Sequence, residues 1–232
     1  MVGICFALIP SDKSAPEYRY VSSVLPSWFQ YRHTVFQPSF TNEWHGTKEL
    51  GLFSFTNSCY QKKLPELITQ TLSKENDVQL IARDFLNAKG TMYLGRGYSY
   101  PVAMEGALKL KELSYIHAEG YAAGEMKHGP LALIEDGLPV IVLSPKDRYF
   151  EKTISNTQEV VARGGKVIMI TDDTSTTMSE NIRFKIQIPK TNSMLNPFLL
   201  TIPIQFLAYH VALLKNCNID KPRNLAKSVT VE

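Results

Sequence analysis

Cysteine is scarce in this sequence: Cys5, Cys59 and Cys217 are few, odd in number and far apart. They form no CxxC pair and no Cys/His grouping, which argues against a zinc site and against a disulfide framework. A reducing, cytoplasmic setting fits that usage. Long apolar runs are missing as well. No window approaches the roughly 18 to 20 continuous apolar residues of a membrane span. The short run from Met1 to Pro10 has no basic region before it, so it does not read as a signal peptide. Charge of one sign is not in excess, since the formal net charge is +3 over 232 residues. Nucleic-acid binders carry a basic patch or stripe, and none is visible here. The chain is expected to engage neither nucleic acid nor membrane. There is also no GxGxxG fingerprint, no internal repeat and no low-complexity tract.

What is present is an ordinary globular composition, 44% hydrophobic and 20% charged, sufficient for one large α/β domain with a buried core. Residues 1–55 read as an irregular N-terminal extension. Aromatics such as Trp28, Phe36 and Trp44 are scattered there without period, and Pro10, Pro16, Pro26 and Pro38 interrupt any long helix. Residues 56–89 read as a helical lead-in, with Leu64, Leu67, Ile68 and Leu72 on one face and a second helix burying Val78, Ile81, Ala82, Phe85 and Leu86.

From residue 90 to 215 the chain alternates. Short apolar strands are expected at 91–94, 139–144, 166–170 and 184–188. Helices are expected from Pro101 to His117, over 149–163 and over 198–215. Gly164-Gly165 closes the second of these. Residues 118–130, rich in Gly and Ala, read as a loop. Strands alternating with helices signal a parallel sheet covered on both faces, a three-layer αβα sandwich. Residues 216–232 form a separate tail.

The polar residues with chemical potential lie on and after the long helix. Glu105, Lys109 and Glu112 fall at i, i+4 and i+7 and share one face. Spacing alone fits a solvated stripe with an ion pair worth a few tenths of a kcal/mol. The sharper reading of the same face is a carboxylate acting as general base beside a lysine that stabilises negative charge. Gly95-Arg96-Gly97, directly after the first strand, stands where open α/β sheets bind ligands, and its glycines let backbone N–H groups approach an anion. His128 follows in a small-residue loop between Lys127 and Gly129-Pro130, a setting for an exposed proton carrier. His117, by contrast, reads as a helix-end residue. The tail Lys221-Pro-Arg-Asn-Leu-Ala-Lys227 carries apolar docking points at Leu225, Val229 and Val231. A docked tail would carry Lys227 inward, where a partly desolvated amine can attack a carbonyl.

Five blocks, in order, resemble one family: Leu94-Gly-Arg-Gly97, Glu105-Gly-Ala-Leu-Lys-Leu-Lys-Glu112, Tyr115-Ile-His-Ala-Glu119, Gly124-Glu-Met-Lys-His-Gly-Pro-Leu-Ala-Leu133 and Pro222-Arg-Asn-Leu-Ala-Lys-Ser-Val-Thr-Val-Glu232. They are similar to the glutamine–fructose-6-phosphate aminotransferases, and specifically to the second of that family's two sugar isomerase (SIS) domains. The resemblance implies a flavodoxin-like, five-stranded parallel sheet over 90–215. It implies conversion of fructose 6-phosphate and ammonia to glucosamine 6-phosphate, without cofactor or metal, by a homodimer. By motif position it gives Glu112 as the base that moves a proton between C1 and C2 and Lys109 as its charge-stabilising neighbour. His128 becomes the ring opener that reaches the other subunit's site. Lys227 becomes the imine-forming lysine, and Ala226 a backbone contact to the sugar.

The sequence departs from the family at its start. Val2 stands where the family has its nucleophilic cysteine, and no segment resembles the glutaminase domain, the first SIS domain or its Ser/Thr-rich phosphate loop. The expectation is therefore a truncated isomerase part that grips its sugar phosphate weakly. Thr174-Ser-Thr-Thr177 reads as a solvated loop and not as a substitute. The competing expectations are a non-catalytic sugar-phosphate-binding module and an inactive gene remnant.

Overall fold

A computed structural model describes residues 59–175 and 182–223. The segment 1–55, the end of the Thr174–Thr177 loop, and Ala226 and Lys227 of the tail lie outside the described residues. The compact unit considered below spans Leu67–Pro222.

Its elements in chain order are α1 (Cys59–Leu72), α2 (Glu75–Ala82), β1 (Gly90–Gly95), α3 (Ser99–Ser114), β2 (His117–Ala122), β3 (Pro139–Leu143), α4 (Phe150–Val161), β4 (Lys166–Thr171), β5 (Ile182–Gln187) and α5 (Asn196–Leu214). Short 3₁₀ turns occupy Arg83–Phe85, Ala123–His128 and Pro130–Leu133. The five strands form one sheet in the order β2-β1-β3-β4-β5, parallel at every pairing. This is the flavodoxin-like order, in which the chain runs outward from β1 to β2 and then crosses to β3.

Alternation along the strands assigns the two faces. Met92 and Leu94 of β1, Val140 and Val142 of β3 and Val167 and Met169 of β4 join Val160 of α4 in one core layer, closed by Ala123, Met126 and Ile134. Tyr93, the intervening residue of β1, points the other way. A Cβ placed on Gly106 of α3 would lie 2.7 Å from its ring and 3.1 Å from Ile204 of α5. Helices therefore cover both faces, with α3 and α5 on one and α4 on the other. Because central parallel strands are buried on both sides, β3 is apolar and buried throughout.

Helix α5 is long and apolar enough to cross a membrane by length and composition, but 61% of its most apolar window is buried within the protein. Its apolar length serves the core beside α2 and α3. His210 on α5 meets Glu75 on α2 at 3.1 Å, which ties these two helices together.

Two points differ from the sequence reading: Leu86, expected inward, is 42% exposed because the Arg83–Phe85 turn ends the helical face before it, and the long helix ends early. The helix expected to run to His117 stops at Ser114, because Tyr115 adopts a left-handed conformation (φ 60°) and its N–H bonds back to Lys111. His117 does not end a helix; it opens the edge strand β2 within the stretch taken as a loop. Its sequence, HAEGYA, is poor in β-branched residues. What makes it a strand is register with β1, from Gly90–His117 to Gly95–Ala122.

Gly106 is the tightest joint between helix and sheet. Gly106→Val is expected to lower the urea midpoint of unfolding by the equivalent of about 1–3 kcal/mol, because Tyr93 and Ile204 leave no room for the added methyls. Circular dichroism across a urea titration checks this.

Candidate functional site

Helix α3 begins four residues after β1 ends, joined by the Gly95-Arg96-Gly97 turn. Gly97 has φ 57°, and a Cβ there would meet the Tyr149 ring at 2.6 Å, so both backbone and neighbour demand glycine. Arg96 lies 5.8 Å over the Tyr149 ring, and Arg148 stacks on the same ring at 4.7 Å. A Cβ on Gly124 would touch the Arg96 guanidinium at 3.2 Å. Residues 95–97 thus stand at the carboxyl end of β1, beside the point where strand order reverses between β1 and β3, the general ligand crevice of such sheets. The part of Tyr149 in fixing Arg96 was invisible in the sequence, since 53 positions separate the two.

Two turns into α3 comes the polar cluster. The Lys109 side chain is only 7% exposed and donates to Glu112 Oε2 at 2.8 Å, with Glu105 Oε1 at 3.8 Å. A charge this buried persists only when paired, and the two carboxylates supply that pairing. The solvated-stripe alternative left open by the spacing does not describe Lys109. Burial pushes the Glu105 carboxyl above its ordinary range; the Lys109 ammonium pulls it down and the Glu112 carboxylate pushes it up. The arrangement is a carboxylate in direct contact with a low-exposure ammonium, a pair able to take a proton and to steady the negative charge that results.

His128 lies elsewhere, at the end of the 3₁₀ turn after β2. Its side chain is 75% exposed and its nearest carboxylate is Glu125 at 4.0 Å. No described contact joins it to Lys109 or Glu112. Further along, Lys146 after β3 bonds Asp173 after β4 at 2.8 Å, and this bond holds the Asp173 carboxyl below its usual range. Among the described residues, no group of three or more His, Cys, Asp or Glu side chains could hold a metal ion.

A groove of about 700 Å³ runs between α3 and β2, lined by Pro101, Met104, Glu105, Leu108 and Lys111 on one side and by Glu119, Gly120 and Tyr121 on the other. Tyr121 donates to the Glu119 carboxylate, and that bond, with burial and the carboxylate charge adding, pushes the phenol up to about 12. Neither residue was singled out from the sequence, because β2 itself was read as a loop.

Folding favours the protonated form of Glu105, so its contribution to stability is full in acid and is lost as pH rises through its raised pKa. Glu105→Gln keeps the shape without the charge. It is expected to raise the urea midpoint near neutral pH, with the gain shrinking in mildly acidic buffer. Paired urea titrations at the two pH values check the sign.

Three comparisons bear on this geometry. The SIS domain family model matches residues 84–215. The chain is 53% identical over 171 residues to a glutamine–fructose-6-phosphate aminotransferase from Bartonella henselae, and 53% identical over 171 residues to one from Rhizobium leguminosarum. Each match covers 73% of this chain and 28% of the relative, so the chain spans little more than a quarter of their length. Among solved structures, the C-terminal domain of glucosamine-fructose-6-phosphate aminotransferase from Francisella tularensis superposes with a TM-score of 0.66 at 40% identity, covering 70% of this chain and 46% of that one. A glucosamine-6-phosphate deaminase from Thermotoga maritima follows at TM-score 0.55 and 26% identity, covering 75% and 50%. With the parallel five-stranded sheet in flavodoxin-like order and a family match over more than half its length, the chain belongs to the SIS domain family, as a module similar to the isomerase part of the glutamine–fructose-6-phosphate aminotransferases.

Proposed function

We propose that this module carries out the isomerising step by which fructose 6-phosphate and ammonia become glucosamine 6-phosphate. The observation that carries the reading is the 2.8 Å bond between Lys109 Nζ and Glu112 Oε2 on α3, within a domain about half identical in sequence to enzymes named for that reaction.

The chemistry asks for few groups. Ammonia condenses with the C2 ketone of the open-chain sugar and water leaves. A base then takes a proton from C1, giving an enolamine, and returns a proton to C2, leaving an aldehyde at C1 and an amine at C2. Glu112 is the base. Its side chain is 27% exposed, so it can be reached, and it is held in place by Lys109. Lys109 offsets the negative charge that develops across the enolamine as the C1 proton departs. His128 opens the sugar ring, acting in the site of a second subunit, as its own exposure and its separation from Lys109 allow. Lys227 forms a transient imine with the C2 carbonyl as water leaves, and ammonia then displaces the lysine amine by transimination to give the sugar imine; Ala226 contacts the sugar through its backbone, and both assignments rest on the tail motif alone. Gly95, Arg96 and Gly97 border the sugar at the mouth of the sheet. No metal or organic cofactor enters this scheme, because the ammonium supplies the charge.

Purified chain incubated with fructose 6-phosphate and ammonium is expected to form glucosamine 6-phosphate. Glu112→Gln is expected to reduce the rate by about 10²–10⁴-fold with an unchanged circular dichroism spectrum. Absence of product at any substrate concentration, or an unimpaired Glu112→Gln variant, overturns the catalytic reading in favour of a module that only binds sugar phosphate.

A further inference from the structure

We infer that helix α4 is the platform that places His128, with Asn156 and Glu159 as positioning residues for ring opening. The inference rests on the role proposed above for His128 and adds residues that touch no substrate.

Ring opening makes a strict demand on geometry. The imidazole takes the proton of the C2 hydroxyl as the C2–O5 bond breaks, and a proton is returned to O5, which leaves the open-chain ketone. A group that does this has to come within about 2.6–3.2 Å of each oxygen. Yet the His128 side chain is mostly exposed, and its nearest described carboxylate is Glu125 at 4.0 Å. With so little around it, the imidazole takes its position from the backbone of the 3₁₀ turn Ala123–His128.

That turn packs on α4 and is held there at three successive points. At its start, the buried Asn156 donates its amide to Ala123 O at 3.2 Å and to Lys152 O at 2.9 Å, the orientation in which the nitrogen faces both carbonyls. In its middle, Met126 is buried and shares a core layer with Val160 of α4. At its end, Lys127 pairs with Glu159 at 3.0 Å, directly before His128. Asn156, Glu159 and Val160 stand at i, i+3 and i+4, so one face of α4 supplies all three holds. After His128 the chain bends at Gly129, whose φ of 142° suits only glycine, and Gly129 O accepts from the Ala132 N–H at 2.9 Å. The imidazole therefore stands between an anchored turn and a glycine bend, one residue from the ion pair.

Magnitudes separate placement from stability. Lys127 is exposed and Glu159 partly so, and an ion pair in that setting adds little to folding. A displacement of about 1 Å in a reacting group, by contrast, can cost about 10²-fold in rate. The pair bears on where His128 points far more than on whether the chain folds. Asn156 bears on both, because removing its amide leaves the Ala123 carbonyl without that donor. Glu159 is thus the cleaner probe.

Turnover of the full 232-residue chain on two substrates with ammonium tests the inference. Fructose 6-phosphate has to be opened. The analogue 5-deoxyfructose 6-phosphate lacks the hydroxyl that closes the furanose, and its C6 oxygen carries the phosphate, so it stays open. Glu159→Gln is expected to lower kcat/KM for fructose 6-phosphate by at least about tenfold and to keep that for the analogue within about twofold. Combined with His128→Asn, it should cost no more than His128→Asn alone. Amide hydrogen exchange across 123–128 should quicken in Glu159→Gln while that of α3 is unchanged. Asn156→Leu should share this pattern, and Glu159→Gln remains informative even if Asn156→Leu does not fold. Equal slowing of both substrates, no slowing of either, additive losses with His128→Asn or unaltered exchange each overturn the inference and leave the role of Glu112 standing. A wild-type chain that forms product from neither substrate overturns the catalytic reading, and this inference with it.

Discussion

The closeness of α3 to the sheet is the constraint on which the rest depends. A Cβ on Gly106 would collide with Tyr93 of β1, and one on Gly120 of β2 would collide with the backbone of α3 itself. Glycines on both sides of the joint let the helix lie directly on two strands. Interiors are packed at crystal-like density, so a helix seated this tightly has little freedom to roll. Its rotation fixes which residues face inward and which form the polar flank. Lys109 is held near the surface of the core with an acid on either side because that rotation leaves it no other place.

Much of the fold was legible because parallel strands announce themselves. The runs Thr91–Leu94, Pro139–Leu143 and Lys166–Ile170 are short, apolar and bounded by turn residues, and α5 is apolar almost throughout. β2 was not legible. His117–Ala122 alternates nothing, carries a glycine at its centre, and becomes a strand only through pairing with β1 and the stop at Tyr115. A left-handed tyrosine is uncommon for a bulky residue, and nothing local announces it. The helix period through Ile116 pointed the other way. Here tertiary pairing outweighs local propensity.

The site divides in the same way. Spacing placed Glu105, Lys109 and Glu112 on one face but was silent on burial, and burial separates a solvated ion pair from a low-exposure one. The Arg96–Tyr149 stack depends on two loops that meet only because β1 and β3 are neighbours in space. Residues 95–97 could be assigned to the ligand end of the sheet from topology alone, whereas the pairing of Lys146 with Asp173 required the β3–β4 register. Ala226 and Lys227 belong to a motif recognised in sequence and lie beyond the described residues.

The composition of the cluster on α3 has a last consequence. Two carboxylates flank a single ammonium, so with both acids ionised the local field is net negative. In the proposed reaction, a phosphorylated sugar approaching this flank would meet repulsion at its phosphate end and accommodation at its carbonyl end. Such a sugar would arrive with its uncharged head toward Glu112 and its anionic foot turned outward. The counter-charge for that foot would then come from outside the Glu105–Lys109–Glu112 cluster, which governs direction and leaves the grip to its surroundings.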